Sequence, residues 1–171
     1  MSSYNDFDSI PITGSEYWLT DRLRKEFGFR GYVVSDSAAV EYLYNKHAVA
    51  TDMKDAVRQS ILAGLNVKTN FTRPEDFILP LRELVKEGKV PIKTLDDRVR
   101  DVLRVKFTIG LFDHPYVEDA KKTKAIVNSE EHRAVALRAA RESLVLLKND
   151  KNVLPLSKQI KSIAVIGPNA D

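Results

Sequence analysis

The sequence predicts an α/β fold in which helices alternate with parallel strands. Three observations predict it. Tyr32-Val33-Val34 is a short apolar run without apolar/polar alternation, as in a strand buried on both faces of a parallel sheet. Helical patterns precede it and separate it from the next strand-like stretch, Leu65-Asn66-Val67-Lys68-Thr69, which is the rhythm of βα units. The first run also ends abruptly in a carboxylate, at Ser35-Asp36. Side chains at the C-terminal ends of parallel strands form the sites of such sheets, so Asp36 is the first candidate functional residue. An Asp there also caps turns and helices, and spacing alone leaves both readings open.

Met1 to Tyr4 reads as the end of a strand, and Asn5 to Gly14 as a loop containing Pro11. Thr13 and Glu16 have capping-box spacing for a helix with Leu19, Leu23 and Phe27 on one face and Trp18 beside them. That stripe is expected in the core. Gly28 suits the residue after a helix end, and Phe29 is placed for the accompanying apolar contact. Ser37 to Thr51 is a long connection at the functional end of the sheet, where loops carry function. Asp52 is the expected N-cap of a helix with Met53, Ala56, Val57, Ser60 and Ile61 on its apolar face, closed by Gly64.

A helix beginning near Thr72-Arg73-Pro74 presents Phe77, Ile78, Leu81, Leu84 and Val85, is kinked or delayed by Pro80, and stops at Gly88. Thr94 is the expected cap of another, with Leu95, Val99, Val102, Leu103 and Phe107 inward to Gly110. Its charged residues, Asp96, Asp97, Arg98, Arg100, Asp101 and Arg104, read as a solvated face. Asp113 to Asn128 has no periodicity and reads as a linker. Ser129 caps a helix to about Glu142 with Ala134, Val135, Leu137 and Ala140 inward, and Ser162 to Gly167 reads as a last buried strand.

The 171 residues suffice for one domain with a real core, and 43% apolar with 30% charged residues is ordinary for a globular protein. The net charge of +3 comes from scattered basic residues, which argues against a nucleic-acid partner. The chain has no cysteine, hence no disulfide frame and no thiolate metal site. No segment approaches the ~18 apolar residues of a membrane span, and the N-terminus lacks the basic and apolar regions of a signal peptide. His47, His114 and His132 share no metal-ligand spacing, so no metal and no cofactor is expected. His47, just beyond the Asp36 strand, reads as an exposed loop histidine rather than as part of a pocket mouth. Gly167-Pro168 lacks the glycines and lysine of a phosphate loop.

Both chain ends look cut. Ile163 to Ile166 needs pairing on both sides, and Met1 to Tyr4 starts as if in mid-sheet. A closed (β/α)8 barrel takes roughly 250 residues. The expected architecture is therefore the C-terminal part of a TIM-type (β/α)8 barrel over residues 1–112, a linker over 113–128, and over 129–171 the start of a second domain, an α/β sandwich contributing its first strand.

The residues that carry chemistry resemble a known family. Ser2-Ser3-Tyr4-Asn5 resembles a strand bearing a substrate-contacting tyrosine, and Leu23-Arg24 with Phe27-Gly28-Phe29-Arg30-Gly31 resembles the approach to a nucleophile strand. Val34-Ser35-Asp36 matches the nucleophile signature itself, and Ala63-Gly64-Leu65-Asn66 a later strand. Gly110-Leu111-Phe112 resembles the end of a barrel-closing helix. Glu142-Ser143, Leu146-Leu147-Lys148-Asn149, Leu154-Pro155-Leu156 and Val165-Ile166-Gly167-Pro168-Asn169-Ala170 resemble the entry into a second domain. Together they resemble glycoside hydrolase family 3, the β-glucosidase and β-xylosidase group. Ser37 stands where the family usually has Trp, Asn66 where it has Asp, and Ser9 where it has Gly, and each departure bears on subsite shape.

The resemblance implies a retaining, exo-acting β-glycosidase. Such an enzyme needs two carboxyl groups about 5–5.5 Å apart, one attacking the anomeric carbon and the other serving as acid and then base. Asp36 carries over as the nucleophile and Tyr4 as its substrate-contacting neighbour, with a packed strand-end tyrosine as the plainer alternative. The resemblance places the acid/base glutamate beyond Asp171 and the sugar-holding residues before Met1. It thus implies an oligosaccharide or aryl β-glycoside substrate, the missing segments of the parent enzyme as partners, a periplasmic or secreted parent, and negligible activity for this chain alone. A non-catalytic piece that only complements the missing segments is the competing expectation, with sugar specificity open between glucosidase and xylosidase types. A phospho-acceptor domain also carries Asp at a strand end, but Asp6 and Asp8 do not follow a full strand.

Overall fold

A computed structural model describes residues 1–69, 72–117 and 119–170. The chain divides into two compact units, Met1–Tyr116 and Val117–Asp171. No helix among the described residues is long and apolar enough to cross a membrane.

In the first unit three stretches run parallel. Ser2 pairs with Ser35 and Val34 with Val67, so the stretch ending at Asp36 lies in the middle. The Ser2 N–H donates to Val34 O (2.8 Å), the Ser35 N–H to Val67 O (2.9 Å), and the Asn66 and Val67 N–H groups to Val33 O (2.9 and 3.1 Å). Side chains extend the pairing: Ser35 Oγ accepts from the Thr69 N–H (3.1 Å), and Thr69 Oγ1 donates to Ser35 O (2.5 Å). The parallel strands expected at the start, middle and third positions are present as these short pairings, and the architecture is α/β.

The stretch read as a loop after Tyr4 contains a hairpin, β1 (Asp6–Phe7) paired antiparallel with β2 (Ile10–Pro11). Asp8 and Ser9 turn it with φ of +50° and +65°, the left-handed values of a two-residue hairpin loop. The next helix, Tyr17–Glu26, ends in a wide turn, with the Phe27 N–H donating to Arg22 O five residues back (2.9 Å). Thr13 does not cap it. Its hydroxyl is buried, sharing a 2.9 Å bond with Ser2 Oγ and donating to Ser3 O, while Ser15 Oγ accepts from the Trp18 N–H (3.4 Å). Leu19 is buried and Leu23 packs on the core, but Phe27, beyond the wide turn, is 66% exposed and drops out of the expected stripe.

α1 (Tyr42–Asn45) forms within the long connection, and α2 (Met53–Ala63) follows with Asp52 as its cap, accepting from the Asp55 N–H (2.8 Å). Ala56, Val57, Ser60 and Ile61 are buried as the pattern requires. They meet Leu19, Val33, Val40, Leu43, Leu65, Leu84 and Val90 in the core. α3 (Glu75–Lys86) runs through Pro80, which lacks the N–H that would reach Asp76 O.

α4 (Ile92–Thr108) starts after Pro91, whose extended backbone and carbonyl (Thr94 N–H to Pro91 O, 2.9 Å) begin the helix ahead of the expected cap Thr94. Leu95 and Val102 are half-buried and Asp96 and Arg100 exposed as expected, but part of the pattern is reversed. Val99, Leu103 and Phe107 are exposed, Phe107 at 64%, whereas the Asp101 side chain is 13% exposed. Asp101 is drawn inward because Arg24, Arg104 and Asn66 all donate to it there.

In the second unit α5 (Ala120–Ile126) occupies part of the expected linker, with Asp119 accepting from the Lys121 N–H (2.8 Å). α6 (Glu130–Glu142) is capped by Ser129, which accepts from the His132 N–H (3.3 Å). Val135 and Leu137, expected inward, are exposed. The strand expected at 162–167 is not formed, and Ile166 is 91% exposed. An apolar strand needs paired backbone groups and covered faces, and among the described residues of this unit nothing supplies them. The first strand of a sandwich domain is therefore corrected to an exposed, unpaired stretch.

Candidate active site

The Asp36 N–H donates to Ser2 O (3.3 Å), making Asp36 the last residue of the middle stretch held by its neighbour. The chain then turns tightly: the Ala39 N–H returns to Asp36 O (3.2 Å), and Ala38 takes φ +61°. This leaves the half-buried Asp36 carboxylate at the strand end, with Oδ1 accepting from the Ser37 N–H (2.7 Å). The small side chain of Ser37 places no ring beside it.

Tyr4 stands beside the same carboxylate, coming from the first stretch. Burial first, then the neighbouring Asp36 carboxylate, hold the phenol above its usual value of 10.0, so it stays protonated. The Tyr42 ring of α1 lies 5.3 Å from that of Tyr4 at 42°, and Lys46 Nζ is 4.8 Å from the Tyr42 centroid. His47 Nε2 is 2.9 Å from Tyr4 O. The two sequence-predicted residues, Asp36 and Tyr4, are brought together. His47, read as an exposed loop residue, is half-buried against Tyr4, while His114 and His132 are exposed on other elements. Tyr42 was missed, because nothing in its spacing marks it; only the return of the connection over Tyr4 does.

Two further groupings brace the stretches, one at each end. Glu41 and Lys68 form a nearly buried ion pair (2.7 Å; side chains 13% and 7% exposed) between the connection and the third stretch. At the opposite end of the stretches, Asn66 Oδ1 accepts from Arg24 (2.7 Å) and the Val33 N–H (2.8 Å), while its Nδ2 donates to Arg98 O (2.9 Å) and Asp101 (3.2 Å). Arg24 also donates to Gly31 O and Gly64 O (3.2 Å each) and pairs with Asp101 (2.8 Å). Arg104 bridges Asp101 and Arg30 O (2.8 and 2.9 Å). The half-buried charge that periodicity assigned to solvent thus clamps the middle stretch to its neighbour. Among the described residues no three His, Asp or Glu side chains gather as a metal site.

An oriented carboxylate at the end of a parallel strand in an α/β fold, with a neutral phenol beside it, is equipped for nucleophilic or general-base chemistry. The match to the glycosyl hydrolase family 3 N terminal domain spans residues 1–105, and that to the family's C-terminal domain spans 144–171. The chain belongs to glycosyl hydrolase family 3. It is 42% identical to the periplasmic β-glucosidase of Salmonella typhimurium (strain LT2), over 100% of this chain and 22% of that protein. To the xylan 1,4-β-xylosidase of Xylanibacter ruminicola it is 36% identical, over 99% of this chain and 20% of that protein. The crystal structure of β-glucosidase from Listeria innocua superposes with a TM-score of 0.79 at 36% identity, covering 91% of this chain and 21% of that one. The chain thus spans about a fifth of the length of these relatives.

Proposed function

We propose that these residues serve a retaining, exo-acting β-glycosidase that hydrolyses terminal β-linked sugars through a covalent glycosyl-enzyme on Asp36. The observation that carries this reading is the Asp36 carboxylate at the end of the middle parallel stretch, oriented by the Ser37 N–H with the Tyr4 phenol beside it. The ionised carboxylate attacks the anomeric carbon as the leaving oxygen takes a proton from a second carboxyl group. Water, deprotonated by that second group, then releases the sugar with its configuration kept. Tyr4 stays protonated, holds Asp36 in line and contacts the sugar.

Residues 1–112 belong, in this reading, to the end of a (β/α)8 barrel, 113–128 to a linker and 129–171 to a second domain. The second carboxyl group and the remaining sugar contacts come from segments outside these residues, so the 171-residue chain alone has negligible turnover. The sugar is glucose or, as in the xylosidase relative, xylose. The periplasmic relative supports a periplasmic or secreted location.

The test is made on the complete gene product that carries these residues, with aryl β-glucoside and β-xyloside. Asp36→Ala is expected to lower turnover by about three orders of magnitude or more, and the first-formed product is expected to be the β-anomer by NMR. Activity surviving in Asp36→Ala, or ordinary turnover by the isolated 171 residues, overturns the corresponding part.

A further inference from the structure

We infer that His47 is a positioning residue of the site, holding the strand-end carbonyl of Tyr4 and, through it, the phenol that stands beside Asp36. The inference rests on the proposed role of Asp36. His47 Nε2 lies 2.9 Å from Tyr4 O. A carbonyl oxygen only accepts, so Nε2 carries the hydrogen, and it does so in the neutral Nε2–H tautomer and in the imidazolium alike.

The backbone that carries the ring is itself fixed, because the His47 main-chain N–H donates to Tyr42 O (2.8 Å). Tyr4 needs such a tie. The parallel pairing on its own stretch is at Ser2, and the next residue, Asn5, is already bonded into the hairpin through the Ile12 N–H (3.1 Å). Tyr4 thus sits between the sheet and the hairpin, with its carbonyl turned to the connection that follows Asp36. His47 on the carbonyl and Tyr42 beside the ring, 5.3 Å between centroids, grip it from that one connection. The long segment after the nucleophile strand acts as a template for the residue that orients the nucleophile.

The experiment is a double-mutant cycle in the complete gene product. His47→Ala is expected to lower kcat about tenfold with KM changed less than about twofold, and His47→Gln, which keeps an N–H donor, to recover most of the loss. In a Tyr4→Phe background the same His47→Ala change is expected to cost less than about twofold, because the phenol it positions is gone. An equal loss in both backgrounds, or a lowered Tm with kcat unchanged, overturns the inference. Should His47→Ala not fold, His47→Asn serves in its place, its amide being too short to reach Tyr4 O.

A readout independent of turnover is the titration of Tyr4, followed by NMR of the 13Cζ-labelled tyrosine. The phenol is expected to titrate lower in His47→Ala than in the parent, having lost its place beside Asp36. If the gene product cleaves no β-glycoside but this shift occurs, the glycosidase reading fails and the positioning role stands. If it cleaves β-glycosides and Tyr4 titrates unchanged, the positioning role fails and the glycosidase reading stands.

Discussion

Asn66 uses every hydrogen-bonding position of its amide, two as acceptor and two as donor. A carboxylate at that position cannot donate. Asn66→Asp would remove both bonds from Nδ2 and set a second negative charge against Asp101, now 3.2 Å from the amide nitrogen. The expected cost is about 2–3 kcal/mol in urea unfolding at pH 7. Adding Asp101→Asn should recover part of it by exchanging donor and acceptor. A stability equal to the parent's would show that the amide is not engaged as described. The departure of Asn66 from the family pattern was visible in the sequence, but its partners were not, because Arg24 and Asp101 lie 42 and 35 residues away. Asp36 was legible for a different reason, since a strand that stops in a carboxylate advertises its own end. Tyr4 came from resemblance, and His47 became meaningful only once the connection was seen to fold back over Tyr4.

At the level of elements, local chemistry predicted the caps at Asp52 and Ser129 but not those at Thr13 and Thr94, whose helices begin on other residues. α2 begins at Asp52 and ends at Gly64, and both ends make testable demands. Asp55, in its first turn, is pulled up by burial, but hydrogen bonds from Arg58, Gln59 and the Thr51 N–H outweigh this and hold it below its usual 3.8. A depressed carboxyl contributes stability that is present above its unfolded value and lost as pH falls through the folded one. The first turn should therefore loosen on acidification below about pH 4, and Asp55→Asn should flatten that part of the stability–pH curve. Gly64 has φ +132°, and a Cβ there would stand 2.9 Å from Thr20 Oγ1, which donates to Ala63 O. Gly64→Ala is expected to destabilise by about 2 kcal/mol, read as a fall in Tm. The faces of α4 were not legible. Periodicity reports that a helix has an apolar and a charged side, and it leaves open which side meets a neighbour. Here ion pairing drew Asp101 inward and a bond to Ile61 O held Arg98 there, while Phe107 stayed in water.

Across the whole chain the apolar residues outside the core matter most. Val99, Leu103 and Phe107 of α4 and Leu144 to Leu147 and Ile163 to Ile166 of the second unit are exposed. The purified 171 residues are expected to bind a hydrophobic dye and to scatter light increasingly with concentration, and Leu103→Glu with Phe107→Glu to reduce both. A monodisperse, dye-free chain would refute this. The parallel arrangement of the stretches at Ser2, Ser35 and Val67 was legible because each carries its own pairing groups. The run at 162–167 reads as a buried strand just as clearly, yet an apolar run records what cover a segment requires, and the cover itself comes from other parts of a fold. The guanidinium of Arg24 spans Gly31 O, Gly64 O, Asn66 Oδ1 and Asp101. A lysine brings one nitrogen with three hydrogens to the same place and must leave at least one of those oxygens unmet. A library randomised at position 24 and selected for survival of heating should return arginine alone.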